Sequence, residues 1–169
     1  IASLRLFGSA RSAGKRLPWA GGEITVEDLA LADPAGLDLA LFSAGKGVSL
    51  EHAPRFAEAG VVVVDNSSAF RKDPSIPLVI PEVNRGDLAN TRSKIIANPN
   101  CSTIILLMAL APIHRALDVK DCVVSTYQAV SGAGKAAVDE LFGQARAFAA
   151  GEEPSCAVYD RPIFLNVLP

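Results

Sequence analysis

Asn98-Pro99-Asn100-Cys101-Ser102-Thr103 places a cysteine directly after the short apolar run 94–97 and directly ahead of a long apolar stretch. The first turn of a helix gathers unpaired N–H groups and the positive end of the backbone dipole, so a thiol held there gives up its proton more readily than a free one. Cys101 is on this ground the candidate nucleophile. A small buried hydrophobe is the other reading of a cysteine among apolar neighbours, and position alone does not separate the two.

Four more segments are small, polar and glycine-bearing, the character of loops that hold ligands where the strands of a doubly wound sheet end. In Ser9-Ala10-Arg11-Ser12-Ala13-Gly14-Lys15 the Arg11 fork stands beside the Ser9 and Ser12 hydroxyls and no acid is present. That set suits the 2′-phosphate of NADP better than the ribose hydroxyl of NAD, and it equally describes a solvated basic turn. Ser43-Ala44-Gly45 has too little bulk to keep a cofactor from the backbone, a property shared by many α/β turns. Asp65-Asn66-Ser67-Ser68-Ala69-Phe70-Arg71 ends on an arginine able to hold an oxyanion by two parallel hydrogen bonds, while its Asn and Ser residues also make turns by bonding their own backbone. Gln128-Ala129-Val130-Ser131-Gly132-Ala133-Gly134 offers Ser131 and Gly132 as an anion nest ahead of a helix, with Gln128 as a neutral donor and acceptor for a substrate. A bare strand-to-helix turn has the same composition.

Other reactive residue types carry less. His52 and His114 read as surface residues, Cys122 as inert core within an apolar strand, and Cys156 as a loop thiol with nothing to activate it. Trp19 and Tyr127 read as packing residues. Three cysteines without close spacing suggest neither a disulfide framework nor a zinc site, and no other metal site is indicated.

These loops need a scaffold, and short β-rich apolar runs alternating with helical patterns supply one: an α/β chain with a Rossmann-like, mainly parallel sheet. Strands are expected at 4–7, 39–43, 61–65, 78–80, 94–97 and 122–127. The unbroken valines 61–64 belong mid-sheet, with both faces covered. Helices are expected at 49–59, interrupted by Pro54; at 102–111, stopped by Pro112 and buried deep because it is apolar on every side; and at Lys135–Ala150, closed by Gly151. Residues 151–162 read as a loop.

The chain has 169 residues, half of them hydrophobic, and a formal charge of −2. Mean hydropathy is +0.29, yet no apolar run approaches the ~20 residues that cross a bilayer. Without a clustered Lys/Arg stripe, nucleic acid and anionic membranes are poor partners and a small-molecule substrate is the better one. A reducing, cytoplasmic compartment fits the cysteine usage. The start at Ile1, almost at once in a strand-like run, and the end at Pro169 without a terminal helix read as an internal fragment.

Taken in order, the segments around Arg11, Arg71, Cys101 and Gln128, together with Val79-Ile80-Pro81-Glu82-Val83-Asn84, resemble aspartate-semialdehyde dehydrogenase through to about Gly151. The resemblance implies NADP-dependent interconversion of L-4-aspartyl phosphate and L-aspartate 4-semialdehyde, on the shared path to lysine, threonine and methionine, by an enzyme that forms dimers or larger homo-oligomers. Carried over by motif, Cys101 is the acylated nucleophile, Gln128 contacts substrate, and Arg71 binds inorganic phosphate; the N–H groups at the start of the Cys101 helix, together with the substrate-binding candidate Asn100, suit the oxyanion of the tetrahedral species. Arg11, Ser12, Ser131 and Gly132 match the family's NADP contacts, and Ser9, Ser43, Ala44 and Gly45 are the cofactor-binding candidates read from the loops themselves. On this reading residues 1–100 are an incomplete NADP-binding domain lacking its first βα unit, with the glycine-rich phosphate loop. Residues 101–169 begin a truncated catalytic and dimerisation domain. The family's later acid/base histidine, carboxylate-binding arginine and phosphate-binding lysine are not in the chain, so these residues alone are expected to be inactive. An N-acetyl-glutamyl-phosphate reductase fits less well, because that family has glycine before the cysteine and tyrosine after it. A non-catalytic paralogue kept for assembly is the remaining alternative.

Overall fold

The computed structural model describes residues 1–169, the side chain of Asn90 excepted. It divides into two compact units, Ile1–Val119 and Lys120–Pro169. Helix 101–117 thus falls with the first unit, whereas the sequence reading puts a domain boundary ahead of it.

In the first unit β1 (Leu6–Gly8) runs parallel to β3 (Gly22–Asp28), and β2 (Arg16–Trp19) returns antiparallel onto β3. The Arg5 guanidinium fastens the pair by donating to both carboxylate oxygens of Glu27, at 2.8 and 2.6 Å. The β2–β3 hairpin lies outside the expected strands: every residue of β2 is exposed, and β3 turns only Ile24 and Val26 inward. Its mark is the turn Ala20-Gly21, both residues at positive φ, which is what a two-residue hairpin demands. Pro18 is tolerated because β2 is an edge strand.

A second, wholly parallel sheet holds β4 (Leu39–Phe42), β5 (Val62–Asp65) and β6 (Ile95–Ala97), with valine-rich β5 in the middle as expected. The expected strand at 78–80 amounts to one bridge from Leu78 to Ala97, because Pro81 turns the chain into the short helix α2 (Pro81–Asn84), followed by α3 (Asp87–Asn90). Helix α1 (Lys46–Glu58) passes through Pro54 and buries Ala53 and Phe56 against the sheet. Phe56 meets Phe7 of β1 and Phe42 of β4 edge-on at 5.7 and 5.2 Å, so one ring anchors both sheets. Emptying that position costs about 3–5 kcal/mol. β1 and β4 each lie at the edge of their sheet and bound a groove of about 690 Å³ lined by Leu4, Leu6, Leu39 and Leu41, with Phe56 at its floor.

Helix α4 spans Cys101–Leu117 and does not stop at Pro112. One proline removes a single backbone bond, and the helix ends instead where Asp118 adopts φ 50 and its N–H returns to His114 O. Nor is α4 buried deep: none of its residues is buried, and Ile105 is 72% exposed. An all-round apolar helix needs cover on every side, whereas α2 is the element packed on it, with Arg115 donating to the Glu82 carbonyl. Among the described residues no helix is long and apolar enough to cross a membrane.

In the second unit the run 122–127 is not a strand, and Cys122 is exposed rather than core. A β-strand satisfies its backbone only against a neighbour, and none is assigned in this unit. Helix α5 keeps its expected bounds, Lys135–Ala150, with Gly151 at φ 71 as its left-handed cap. Its buried Gln144 accepts from the Ile163 and Phe164 N–H groups and donates to Ser155 O, while Glu140 accepts from Ala157 N and Val158 N at 2.7 and 2.5 Å. Two polar residues of α5 therefore hold the loop that follows it.

Desolvation pushes the Glu140 carboxyl up, but the Val158, Ala157 and Tyr159 N–H groups and the Gln144 amide outweigh it and hold the group below its ordinary value of 4.5. A carboxyl depressed by folding stabilises the native loop above the unfolded-state pKa, and that contribution disappears as pH falls through the folded-state value. The amide signals of Ala157 and Val158 are therefore expected to shift together on acidification below 4.5, and Glu140→Gln to remove the transition, as followed by NMR.

Candidate active site

Three loops converge where the strands of the parallel sheet end, the place where such sheets bind ligands. The parallel ladder continues past the strands, with Asn66 N donating to Phe42 O and Asn98 N to Asp65 O, both at 2.8 Å. The loops after β4, β5 and β6 therefore leave the sheet side by side, carrying Ser43, Arg71 and Cys101.

Cys101 is the first residue of α4 and is exposed. Asn100, at φ −61 and ψ 145, is the N-cap; its side-chain oxygen accepts from Ser102 N at 2.9 Å and Ser102 Oγ at 2.6 Å. That bond explains the asparagine in local terms, since an N-cap of this kind contributes about 0.5–2 kcal/mol over alanine. It also commits the Asn100 oxygen to the helix. The sulfur is neither sealed in the core nor far from the strand ends.

Arg71 sits beside this turn. Its Nε donates to Asn98 O at 2.8 Å and one Nη to Asn66 O at 3.0 Å, so one edge of the guanidinium ties the β5 and β6 loops together. The opposite edge, with the other Nη, makes no hydrogen bond among the described residues. Beneath, the fully buried Asp65 carboxylate accepts from Ser49 Oγ at 2.5 Å and Ser67 Oγ at 2.7 Å, which fixes the first turns of α1 against β5. Between the loops, Asn98 Nδ2 donates to Asn66 Oδ1 at 2.6 Å, and Asn66 Nδ2 to Ser43 Oγ at 3.3 Å. Sequence reasoning named Ser43, Arg71 and Cys101 but not these connectors. Their signal was present: Asp65, Asn66 and Ser67 lie in the cluster read above as turn-making.

Of the cofactor candidates, Ser43, Ala44 and Gly45 belong to the loop after β4, and the others lie elsewhere in the chain. Ser9 starts a tight turn after β1, its carbonyl accepting from Ser12 N and Ala13 N at 2.7 and 3.0 Å, and Arg11 projects from that turn exposed and without an ion-pair partner among the described residues. Asp28, level with Gly8 on β3, caps its own turn by accepting from Ala30 N. Ser43, Ala44 and Gly45 are exposed; Gly45 has φ 97, and a Cβ placed there would meet nothing within 4 Å. Ser131 and Gly132 form a 3-10 turn, Val130–Ala133, ahead of α5 in the second unit. Gln128, in the same unit, lines a cavity of about 380 Å³ with Tyr127, Ile163 and Asn166. Among the described residues no three His, Cys, Asp or Glu side chains gather as a metal site would require.

Residues 1–91 match the family model for the semialdehyde dehydrogenase NAD-binding domain, and residues 110–169 match the model for the semialdehyde dehydrogenase dimerisation domain. An aspartate-semialdehyde dehydrogenase of Mycolicibacterium smegmatis is 51% identical over 99% of this chain and 52% of its own length. The crystal structure of aspartate semialdehyde dehydrogenase II from Vibrio cholerae, complexed with ASA, superposes with a TM-score of 0.82 at 46% identity, over 98% of this chain and 50% of that one. A Candida albicans aspartate semialdehyde dehydrogenase solved with NADP gives 0.54 at 27% identity, over 66% of this chain and 38% of that one. The chain thus spans about half the length of the relatives it matches.

Proposed function

Since the chain belongs to the semialdehyde dehydrogenase family, we propose that it carries the nucleophile and much of the cofactor site of an NADP-dependent aspartate-semialdehyde dehydrogenase. The observation that carries this reading is Cys101 exposed at the capped start of α4, with Arg71 bound to the turn that delivers it. The groove between β1 and β4 supports the view that a further strand completes the sheet in the active enzyme. The match of residues 110–169 to a dimerisation domain supports a homo-oligomer. A nucleophilic thiol that must stay reduced favours a reducing compartment such as the cytoplasm.

The turn after β1 suits a nicotinamide dinucleotide of the phosphorylated kind, because it presents a serine and a guanidinium without an ion-pair partner among the described residues, while Asp28, level with Gly8, accepts a bond within its own turn. Gly45 gives the open backbone such a ligand needs. When bound, the nicotinamide supplies the hydride acceptor or donor. The chain's own residues do the rest. In the oxidative direction Cys101 Sγ bonds to the aldehyde carbon and the oxygen becomes an oxyanion facing the first-turn N–H groups of α4. Loss of hydride leaves a thioester on Sγ. A phosphate oxygen, held by the outer edge of Arg71, then attacks the acyl carbon; the C–S bond breaks, the pair returns to sulfur, and acyl phosphate departs. Gln128 contacts the substrate and Ser131 and Gly132 the cofactor on this reading.

Mass spectrometry tests the scheme directly. Full-length protein incubated with L-4-aspartyl phosphate, without reductant, is expected to gain an acyl adduct on Cys101; an adduct confined to Cys122 or Cys156 overturns it. Arg11→Ala is expected to weaken NADP about tenfold while NAD changes less than about twofold, measured by titration calorimetry. Equal weakening of both removes the 2′-phosphate assignment.

A further inference from the structure

We infer that Asn66 is a positioning residue for the Cys101 nucleophile. It stands at the end of β5, the central strand, and reaches both neighbours: Asn98 Nδ2 donates to its Oδ1 at 2.6 Å and its own Nδ2 donates to Ser43 Oγ at 3.3 Å. Its backbone is equally engaged, with N–H on Phe42 O and carbonyl under Arg71. Asn98 is three residues ahead of Cys101, and the path between them is short and stiff. Pro99 fixes one backbone angle and is buried, and Asn100 is locked as the cap of α4.

Among the described residues the side chain of Asn98 makes no other hydrogen bond, so its orientation is set by the Asn66 oxygen. Below, buried Asp65 with Ser49 and Ser67 keeps the end of β5 from moving, which gives the Asn66 side chain a fixed base. A thiol at a helix start reacts according to its placement against the first-turn N–H groups. Freeing the turn ahead of it lets that placement wander. The Asn66 oxygen toward Asn98 is therefore the contact that carries the positioning, and its nitrogen toward Ser43 the lesser one, two duties that different substitutions separate.

This inference rests on Cys101 being the nucleophile, and alkylation of the three exposed cysteines of the folded chain distinguishes the two claims. Iodoacetamide labelling at neutral pH, resolved by peptide mass spectrometry, gives separate rates for Cys101, Cys122 and Cys156 in one sample. In the unmodified chain Cys101 is expected to label fastest; if it labels no faster than Cys156, the nucleophile reading falls and the positioning claim with it. Asn66→Ala is expected to slow Cys101 about fivefold with Cys156 unchanged, and Asn66→Asp, which keeps the acceptor for Asn98, to restore most of the rate. Asn98→Ala, removing the donor from the other side, is expected to reproduce the loss should Asn66→Ala not fold. A fast Cys101 left within about twofold by both alanine variants overturns the positioning role. So does equal slowing of Cys101 and Cys156, or failure of Asn66→Asp to rescue.

Discussion

Cys101→Ala is expected to lower oxidation of L-aspartate 4-semialdehyde by the full-length enzyme by at least about 10⁴-fold, while NADP binds within about twofold of its former affinity. The separation follows from where the groups stand. The sulfur opens α4 after β6, whereas Arg11 and its serines occupy the turn after β1. Removing the thiol deletes both chemical steps at once, since no side chain remains to add to the aldehyde or to carry the acyl group. Cys101→Ser tests the same point from the other side. An alkoxide is a poorer leaving group than a thiolate, so any acylated serine is expected to accumulate rather than turn over, visible as a stable adduct by mass spectrometry. Turnover retained by Cys101→Ala, measured as NADPH formation, removes the thioester route altogether.

The parallel sheet was legible because its strands read as unbroken apolar runs; β5, with its valines, is the clearest case. Helix α5 was legible to the residue because Gly134 and Gly151, both at positive φ, punctuate it. The β2–β3 hairpin was not, because β2 is exposed throughout and the inward face of β3 amounts to Ile24 and Val26, too short an alternation to announce it. Residues 122–127 have the composition of a strand without a neighbour to pair with, and composition cannot report a missing partner. Apolarity likewise gave the need of α4 for cover but not whether this chain supplies it. At the site, residue type was enough to single out Cys101, Asn100 and Arg71 as candidates, because their chemistry is distinctive. The connectors escaped because Asn and Ser are read first as turn formers, and what makes Asn66 and Asp65 different here is the convergence of three loops from distant parts of the chain.

Arg71→Lys is expected to raise the KM for phosphate by about tenfold or more and to lower kcat as well, with the KM for the aldehyde rising least. The unequal pattern follows from the two edges of one guanidinium. The inner edge donates to Asn98 O and Asn66 O, which holds the turn ahead of Cys101; the outer edge faces away from both and remains for an anion. An ammonium is a single point and reaches at most one of the two carbonyls if it is also to meet a phosphate. Loss of the inner contacts disturbs the placement of the sulfur and appears in kcat. Loss of the paired outer contacts appears in phosphate KM, because an oxyanion bound by one donor instead of two is held less tightly. A residue that served as a brace alone would leave phosphate KM in step with aldehyde KM, and initial-rate measurements varying each substrate in turn tell the cases apart. Parallel changes in both constants would strip Arg71 of its phosphate role and leave it as the clasp between the β5 and β6 loops.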